Sequence, residues 1–238
     1  MMDWFFKRGD ETRLVERYQR LRQVGWKLNN EVLPKYLPRP ALEICAKKLG
    51  LWRRGTVVFE YEDEMSVLMD YCLHDFRPKA GNAVQQYSAE ANPDPGSEEY
   101  IVLKAMRDSF YTLVQVTRVF PGVGIGVTDL LAQGCEYLLV DIGFGGSARE
   151  GWVLATRILP YVGFVTTSGA GLPVDAGTLE EIRRTILPRH PTDQDDRCLL
   201  QGGRQKAGDL AAAIIRLCLR RHAMERIQYA QVPRPPGV

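Results

Sequence analysis

Histidine is scarce in this chain: 238 residues contain three, at positions 74, 190 and 222. No HExxH and no clustered His/Cys set is present, so the common zinc-protease and structural-zinc patterns are excluded. There is no GxSxG elbow for a nucleophilic serine either. Cysteine is sparse and unpaired in pattern. Cys45, Cys72, Cys135, Cys198 and Cys218 are an odd number, widely spread, without a CxxC. Such spacing is not a disulfide framework; it reads as buried free thiols in a reducing compartment. No run of about 18 apolar residues occurs, which excludes a helix that spans a membrane. The opening "MMDWFFKRGD" lacks the long apolar core and small-residue cleavage site of a signal peptide. The expectation is a cytoplasmic protein with no membrane contact, in which the Trp4-Phe5-Phe6 cluster docks on the body of the molecule.

Net charge is nearly absent as well, at +2. The near-neutral total hides a pattern, because residues 1–54 carry +7, residues 55–110 carry −7, residues 111–176 carry −2 and residues 177–238 carry +4. Basic ends flank an acidic middle. Two readings follow: basic helices lie against an acidic one within the molecule, or the two ends form a patch for an anionic partner. The first is the commoner use of charge runs.

What is present is strong periodicity. Helical spacing begins near residue 10 (Leu14, Tyr18, Leu21) and stops at Pro34 and Pro38. "RPALEICAKKLGL" is a short helix ended by Gly50. In "TVVFEYEDEMSVLMDYCLHDF", Met65, Leu68, Met69, Cys72, Leu73 and Phe76 mark a buried helical face, with Asp63, Ser66, Asp70 and His74 opposite. "GNAVQQYSAEA" and "SEEYIVLKAMRDS" are further helices, the second with a serine cap.

After residue 109 the texture changes. "FYTLVQVTRV", "GIGVTDLL", "EYLLVDIG", "GWVLATRIL" and "GFVTTSGAGLPV" are short, β-branched and aromatic, and separated by turn signals. They predict five antiparallel strands without intervening helices, as a meander or a small closed barrel. The last part returns to helix in "GTLEEIRRTIL" and "KAGDLAAAIIRLCLRRHAMERIQY", with "RHPTDQDDR" as a polar loop and a frayed proline-rich tail. The fold class is α+β, organised as a helical region (1–109), an antiparallel five-stranded barrel-like β module (110–176) and a C-terminal helical segment (177–238).

"TRVFPGVGIG" (117–126) raises the question of a phosphate loop. A P-loop needs GxxxxGK[ST] before a helix, and a dinucleotide fingerprint needs GxGxxG between strand and helix. Neither is met. Residues 117–124 (TRVFPGVG) instead match residues 156–163 (TRILPYVG), and the match predicts two superposable strand–turn–strand units in which glycine serves the turn and close backbone approach.

Candidate chemistry is thin. Asp70 and His74 stand four residues apart and Asp63 lies two turns earlier, so the three form a possible metal half-site on one helix face. The plainer reading is a solvated polar face. Asp129 and Asp141, at strand ends, could bind a divalent ion as a pair; the commoner use of such aspartates is to bond turn backbones. Arg118 and Arg157 hold equivalent places in the near-repeat and are candidates, with Tyr137, Trp152 and Arg149, to contact a partner or single-stranded nucleic acid. No cofactor is expected.

The segments "EDEMSVLMDYCLHDF", "NAVQQY", "SFYTLVQVTRVFPGVGIGVTDLL", "EYLLVDIGF" and "GWVLATRILPYVGFVTTSGAGLPV" resemble a loosely defined group of uncharacterised bacterial proteins, over roughly residues 57–175. In that group a helical half precedes a small β module, and some members carry a C-terminal SEC-C zinc motif. Here Cys198 and Cys218 stand without such a cluster, so no zinc role is implied. The function expected is a non-enzymatic binding or accessory protein that meets a protein or nucleic-acid partner through the β module and its basic flanks. The alternatives are a metal-dependent hydrolase using Asp63, Asp70 and His74, and a structural subunit of a larger assembly.

Overall fold

A computed structural model describes residues 10–132, 135–189 and 204–226 of the chain. Trp4, Phe5, Phe6, His190, Cys198, most of the polar loop and the proline-rich tail lie outside these residues. The first half is helical. α1 (Asp10–Lys27) continues through a π turn (Leu28–Val32) into a 3-10 turn (Leu33–Tyr36), where Pro34 removes a backbone donor. α2 (Ala41–Leu49) ends on Gly50, whose φ of +83° closes the helix in the left-handed region. A short hairpin of β1 (Trp52–Arg53) and β2 (Thr56–Val57) leads to α3 (Asp63–His74). α4 (Ala83–Ala91) starts in a full capping box between Asn82 and Gln85, and α5 (Glu98–Arg107) starts on the Ser97 side chain.

The β region is β3 (Phe110–Phe120), β4 (Gly124–Asp129), β5 (Glu136–Val140), β6 (Val153–Tyr161), β7 (Phe164–Thr167) and β8 (Leu172–Val174). The sheet runs β3-β4-β5-β7-β6-β8, and β3 also pairs with β6. That last pairing closes a five-stranded barrel, and β8 pairs with the start of β6 on the side where β7 pairs with its end. Long β3 makes closure possible: residues 114–120 pair with β4 while residues 110–115 pair with β6. Phe110, Val114, Val116, Ile125, Val127 and Leu139 fill the interior with residues from β6 and β7.

Three details differ from the sequence reading. β5 and β7 run parallel, through the single pairing Leu139–Val165. A one-turn helix, α6 (Ile142–Gly145), intervenes before β6. The fifth expected strand is two, β7 and β8, both along the same side of β6 and divided at Ser168–Gly171, where Gly169 has φ +93°. A left-handed glycine breaks the extended run without removing it from the sheet.

Helices cover the outer face of the barrel in two layers. α2, α3 and α8 (Arg204–Arg220) pack on Leu113, Ala155 and Leu172. α1, α4 and α5 pack on Leu138, Leu159 and Phe164. α7 (Ala176–Glu181), extended by a π turn (Ile182–Ile186), joins the first layer. Residues from all three stretches of the chain thus meet in one core. No helix among the described residues is long and apolar enough to cross a membrane. Two N-terminal cations reach the acidic middle of the chain, Arg20 to Glu98 and Arg53 to Glu60, each at 2.9 Å.

Candidate functional site

The near-repeat folds as two hairpins, but their turns are built differently. In the first, Phe120 pairs with Gly124 around residues 121–123; in the second, Tyr161 pairs with Phe164 around residues 162–163. Pro121 sits in its turn, whereas Pro160 is inside β6 opposite Val165. The left-handed glycines are Gly122 and Gly163, which the sequence match does not align. A bulge between Val116 and Arg118 adds a further offset on β3. Arg118 and Arg157 are therefore not equivalent. Arg118 is exposed, stacked over the Phe120 ring at 5.2 Å. Arg157 is 2 % exposed.

Arg157 corrects the sequence reading most sharply. It projects from the outer face of β6 between the two helix layers, against α3. Its Nε donates to both oxygens of Asp70 at 3.1 and 3.0 Å, and its Nη2 donates to Asp75. Burial alone would lower its pKa, but the attraction of Asp70 and Asp75 outweighs this and raises it, so the guanidinium stays charged. Its neighbour across the β3–β6 ladder is Tyr111, whose ring lies 5.9 Å from the guanidinium. The Tyr111 hydroxyl is buried without a hydrogen-bond partner among the described residues, and its pKa is raised, chiefly by burial.

The polar stripe of α3 is therefore not a solvated face. Asp70 and His74 are buried, while Met65, expected inside, is 46 % exposed. The reason is that α3 is packed from several directions. Val67, Leu68, Tyr71 and Cys72 face α2 and α8, Leu73 faces the α1, α4 and α5 layer, and the Asp70 side meets Arg157 on the barrel. An apolar stripe alone does not reveal this when a buried cation waits on the neighbouring strand.

The structure brings Asp70 and His74 together, with Nε2 4.0 Å from Oδ1, but Asp70 is engaged by Arg157. Among the described residues, no three His, Cys, Asp or Glu side chains are placed to share a metal ion. The guanidinium fills the place a cation would take beside Asp70. His74 contacts the Ser109 hydroxyl at 3.4 Å through Nδ1, and its carbonyl accepts from Asn82 at 2.6 Å. Burial, aided by the charge of Arg157, holds the imidazole pKa down at about 3. It is neutral at physiological pH and takes no proton there, so it is not equipped as a general base.

This depression has a pH signature. In the unfolded chain the imidazole titrates near 6.5, so between that pH and about 3 the unfolded state holds a proton the folded state refuses. Stability is complete above the unfolded value and falls as the pH drops through this window, by about 1 kcal/mol between pH 6 and 5. His74→Gln should remove that part of the slope, read from urea midpoints at pH 7, 6 and 5. An unchanged slope would contradict the buried neutral imidazole.

Beside this network lies a groove of about 640 Å³. Its walls are α1 with the π turn, α3, and the segment Thr166–Ala170, where β7 ends and the break before β8 begins; Asp70 and His74 reach its floor. Trp26, 61 % exposed, and Met65 stand at its mouth. Two wall atoms, Asn29 Oδ1 and Ser168 Oγ, are buried without a hydrogen-bond partner among the described residues. Trp26, Asn29, Ser168 and Asp75 went unnoticed in the sequence. The only local signal was the small-residue run Ser168–Gly171 inside an otherwise β-like segment.

The remaining sequence candidates sit elsewhere. Arg149 and Trp152 are exposed, and Tyr137 is half-buried with its ring 6.3 Å from Phe110. Backbone bonds of 2.8 Å from Val116 N to Trp152 O and from Gly151 N to Val116 O hold the 149–152 turn beside the bulge that precedes Arg118. Asp129 and Asp141 serve backbone: Asp129 accepts from Leu131 and Ala132 amides and from the Thr112 hydroxyl, and Asp141 caps α6. The chain matches no curated protein and no solved structure. Residues 12–195, from α1 through the barrel and past α7, match a family of unknown function, DUF7986, and the chain belongs to that family.

Proposed function

We propose that the chain is a non-enzymatic binding protein and that the groove between α1, α3 and the segment that joins β7 to β8 receives a segment of another protein. The observation that supports this reading is the groove itself. It has an apolar mouth at Trp26 and Met65 and two unsatisfied polar atoms in its wall. Aromatic and methionine side chains at the rim of a cleft are typical anchors for a partner. The acid and base groups at the floor are committed to an internal network, which leaves no poised proton donor or acceptor for chemistry.

A photo-crosslinking side chain at exposed Ser66, in the groove wall, tests the reading. It should give a discrete crosslinked product in lysate, absent when the same group is placed at exposed Arg54. In the Trp26→Ala variant the affinity for the captured partner should fall about 30-fold, as for an interface anchor worth about 2 kcal/mol. Equal labelling from both positions would overturn the proposal.

A second reading is favoured by one observation: Arg118, Arg149 and Trp152 stay exposed on connected backbone. Cations beside an exposed aromatic suit single-stranded nucleic acid. Fluorescence anisotropy with labelled single-stranded RNA and DNA at two salt concentrations examines it. Binding that weakens steeply with salt and falls in Arg118→Ala/Arg149→Ala would favour this surface; no binding at low salt would remove it.

A further inference from the structure

We propose that the groove is occupied by the chain's own C-terminal segment, residues 227–238, which a partner segment has to displace; this rests on the groove being a peptide-binding surface. The path of the chain gives the segment its reach. After α8, a 3-10 turn (Ala223–Arg226) brings the chain to the start of α3. There the Tyr61 hydroxyl donates to Glu225 Oε1 at 2.9 Å, and His222 Nδ1 lies 3.8 Å from Glu60. α3 carries Met65 and Ser66 into the groove one turn further on. Twelve residues follow Arg226 in the sequence. In polyproline II form, at about 3.1 Å per residue, they span about 37 Å. The α1 wall of the groove, from Tyr18 to Asn30, is about 18 Å long at about 1.5 Å per residue. The segment can therefore enter from the α3 end and cover the groove.

Its composition gives the fit. "IQYAQVPRPPGV" holds prolines at 233, 235 and 236 and a single charged side chain, Arg234. Proline fixes φ near the polyproline II value, and segments of this kind dock on grooves lined by aromatic rings because little conformational freedom is lost. The groove offers Trp26 at its mouth and Tyr18 and Tyr161 in its wall. A polyproline II backbone makes no hydrogen bonds of its own, so its carbonyls are open to the Ser168 hydroxyl, and Asn29 Oδ1 would accept from a Gln228 or Gln231 amide. Charge agrees. Asp70 is neutralised by Arg157, so the floor suits a nearly uncharged segment. The opening "MMDWFFKRGD" would instead bring Asp3, Lys7 and Arg8 out of water with no opposite charge to meet. Being tethered, residues 227–238 stand at about millimolar effective concentration, enough to fill the groove with a weak intrinsic affinity.

The test places a photo-crosslinking side chain at Ser66 of the full chain and, as a control, at Glu62, which is exposed at the same end of α3 but outside the groove. Light and heavy-isotope chains are mixed, and the products are mapped by mass spectrometry. The expected result is crosslinking from Ser66 to residues 227–238 within one chain, with little from Glu62. The yield should fall about threefold or more in Trp26→Ala, which removes an exposed anchor and leaves the core intact. It should fall likewise in Pro233→Ser/Pro235→Ser/Pro236→Ser. Equal yields from Ser66 and Glu62, or a yield that neither variant moves, would mean that the segment is tethered without being seated and would overturn the proposal. Crosslinks between light and heavy chains would overturn it in favour of a second copy. Ser66 products with a lysate protein, or with another part of the chain, but none with residues 227–238 would overturn the C-terminal occupant and leave the groove reading standing. Absence of any product specific to Ser66 would overturn both.

Discussion

Arg157→Met is expected to cost about 3–5 kcal/mol of folding stability, the usual loss when a buried ion network is broken from one side. Asp70 and Asp75 are left behind, both almost fully shielded from solvent, and each loses its guanidinium partner. A chain of this size loses about 2–4 °C in Tm per kcal/mol, so the transition should fall by roughly 6–20 °C. The loss is mainly the cost of stranded charge and not the net worth of the network. Arg157→Met combined with Asp70→Asn and Asp75→Asn should therefore recover part of it, since no uncompensated charge remains. Urea unfolding of wild type, single and triple variants measures both effects. A single-variant loss under about 1 kcal/mol would mean that Arg157 is not buried as described.

Gly124→Ala should be nearly as damaging, and for a different reason. A Cβ at residue 124 would stand 2.1 Å from the Leu139 carbonyl oxygen and 2.9 Å from the Val140 Cα. Both are backbone atoms of the neighbouring strand β5, which cannot rotate aside as a side chain can. Relief requires parting β4 from β5, inside the closed barrel. We expect at least about 3 kcal/mol of destabilisation, the upper part of the range for overpacking a filled core. Gly122→Ala is the control. Its φ of +77° strains an alanine, but the space around it is open, so about 1 kcal/mol is expected. Equal costs at the two positions, measured by chemical denaturation, would refute the distinction between close approach and turn strain.

These two glycines show how far local sequence carries. That "FPGVG" makes a turn between strands is legible from composition, and so is the absence of a phosphate loop. Which glycine serves the turn and which the strand contact is not. Gly122 and Gly163 do the same work although the sequence match pairs Gly163 with Gly124, because the two turns differ in length. Strand pairing across the barrel, not the local sequence, sets that difference.

The same division holds for the site. Periodicity by itself determined the helices before residue 109, the β-rich stretch from residue 110 and the helical return near its end. Each depends on a repeat of hydrophobic residues that secondary structure reads directly. The tertiary structure alone decided what the polar residues do. Asp70 and His74 lie on the polar side of α3 by sequence, yet α3 turns that side to the barrel, where Arg157 supplies the charge that makes burial tolerable. The groove beside them joins α1, α3 and the segment between β7 and β8, drawn from residues 18 to 170 of the chain. A repeat tells which residues share a face; only the partner across the gap tells whether that face meets water, a core or an opposite charge.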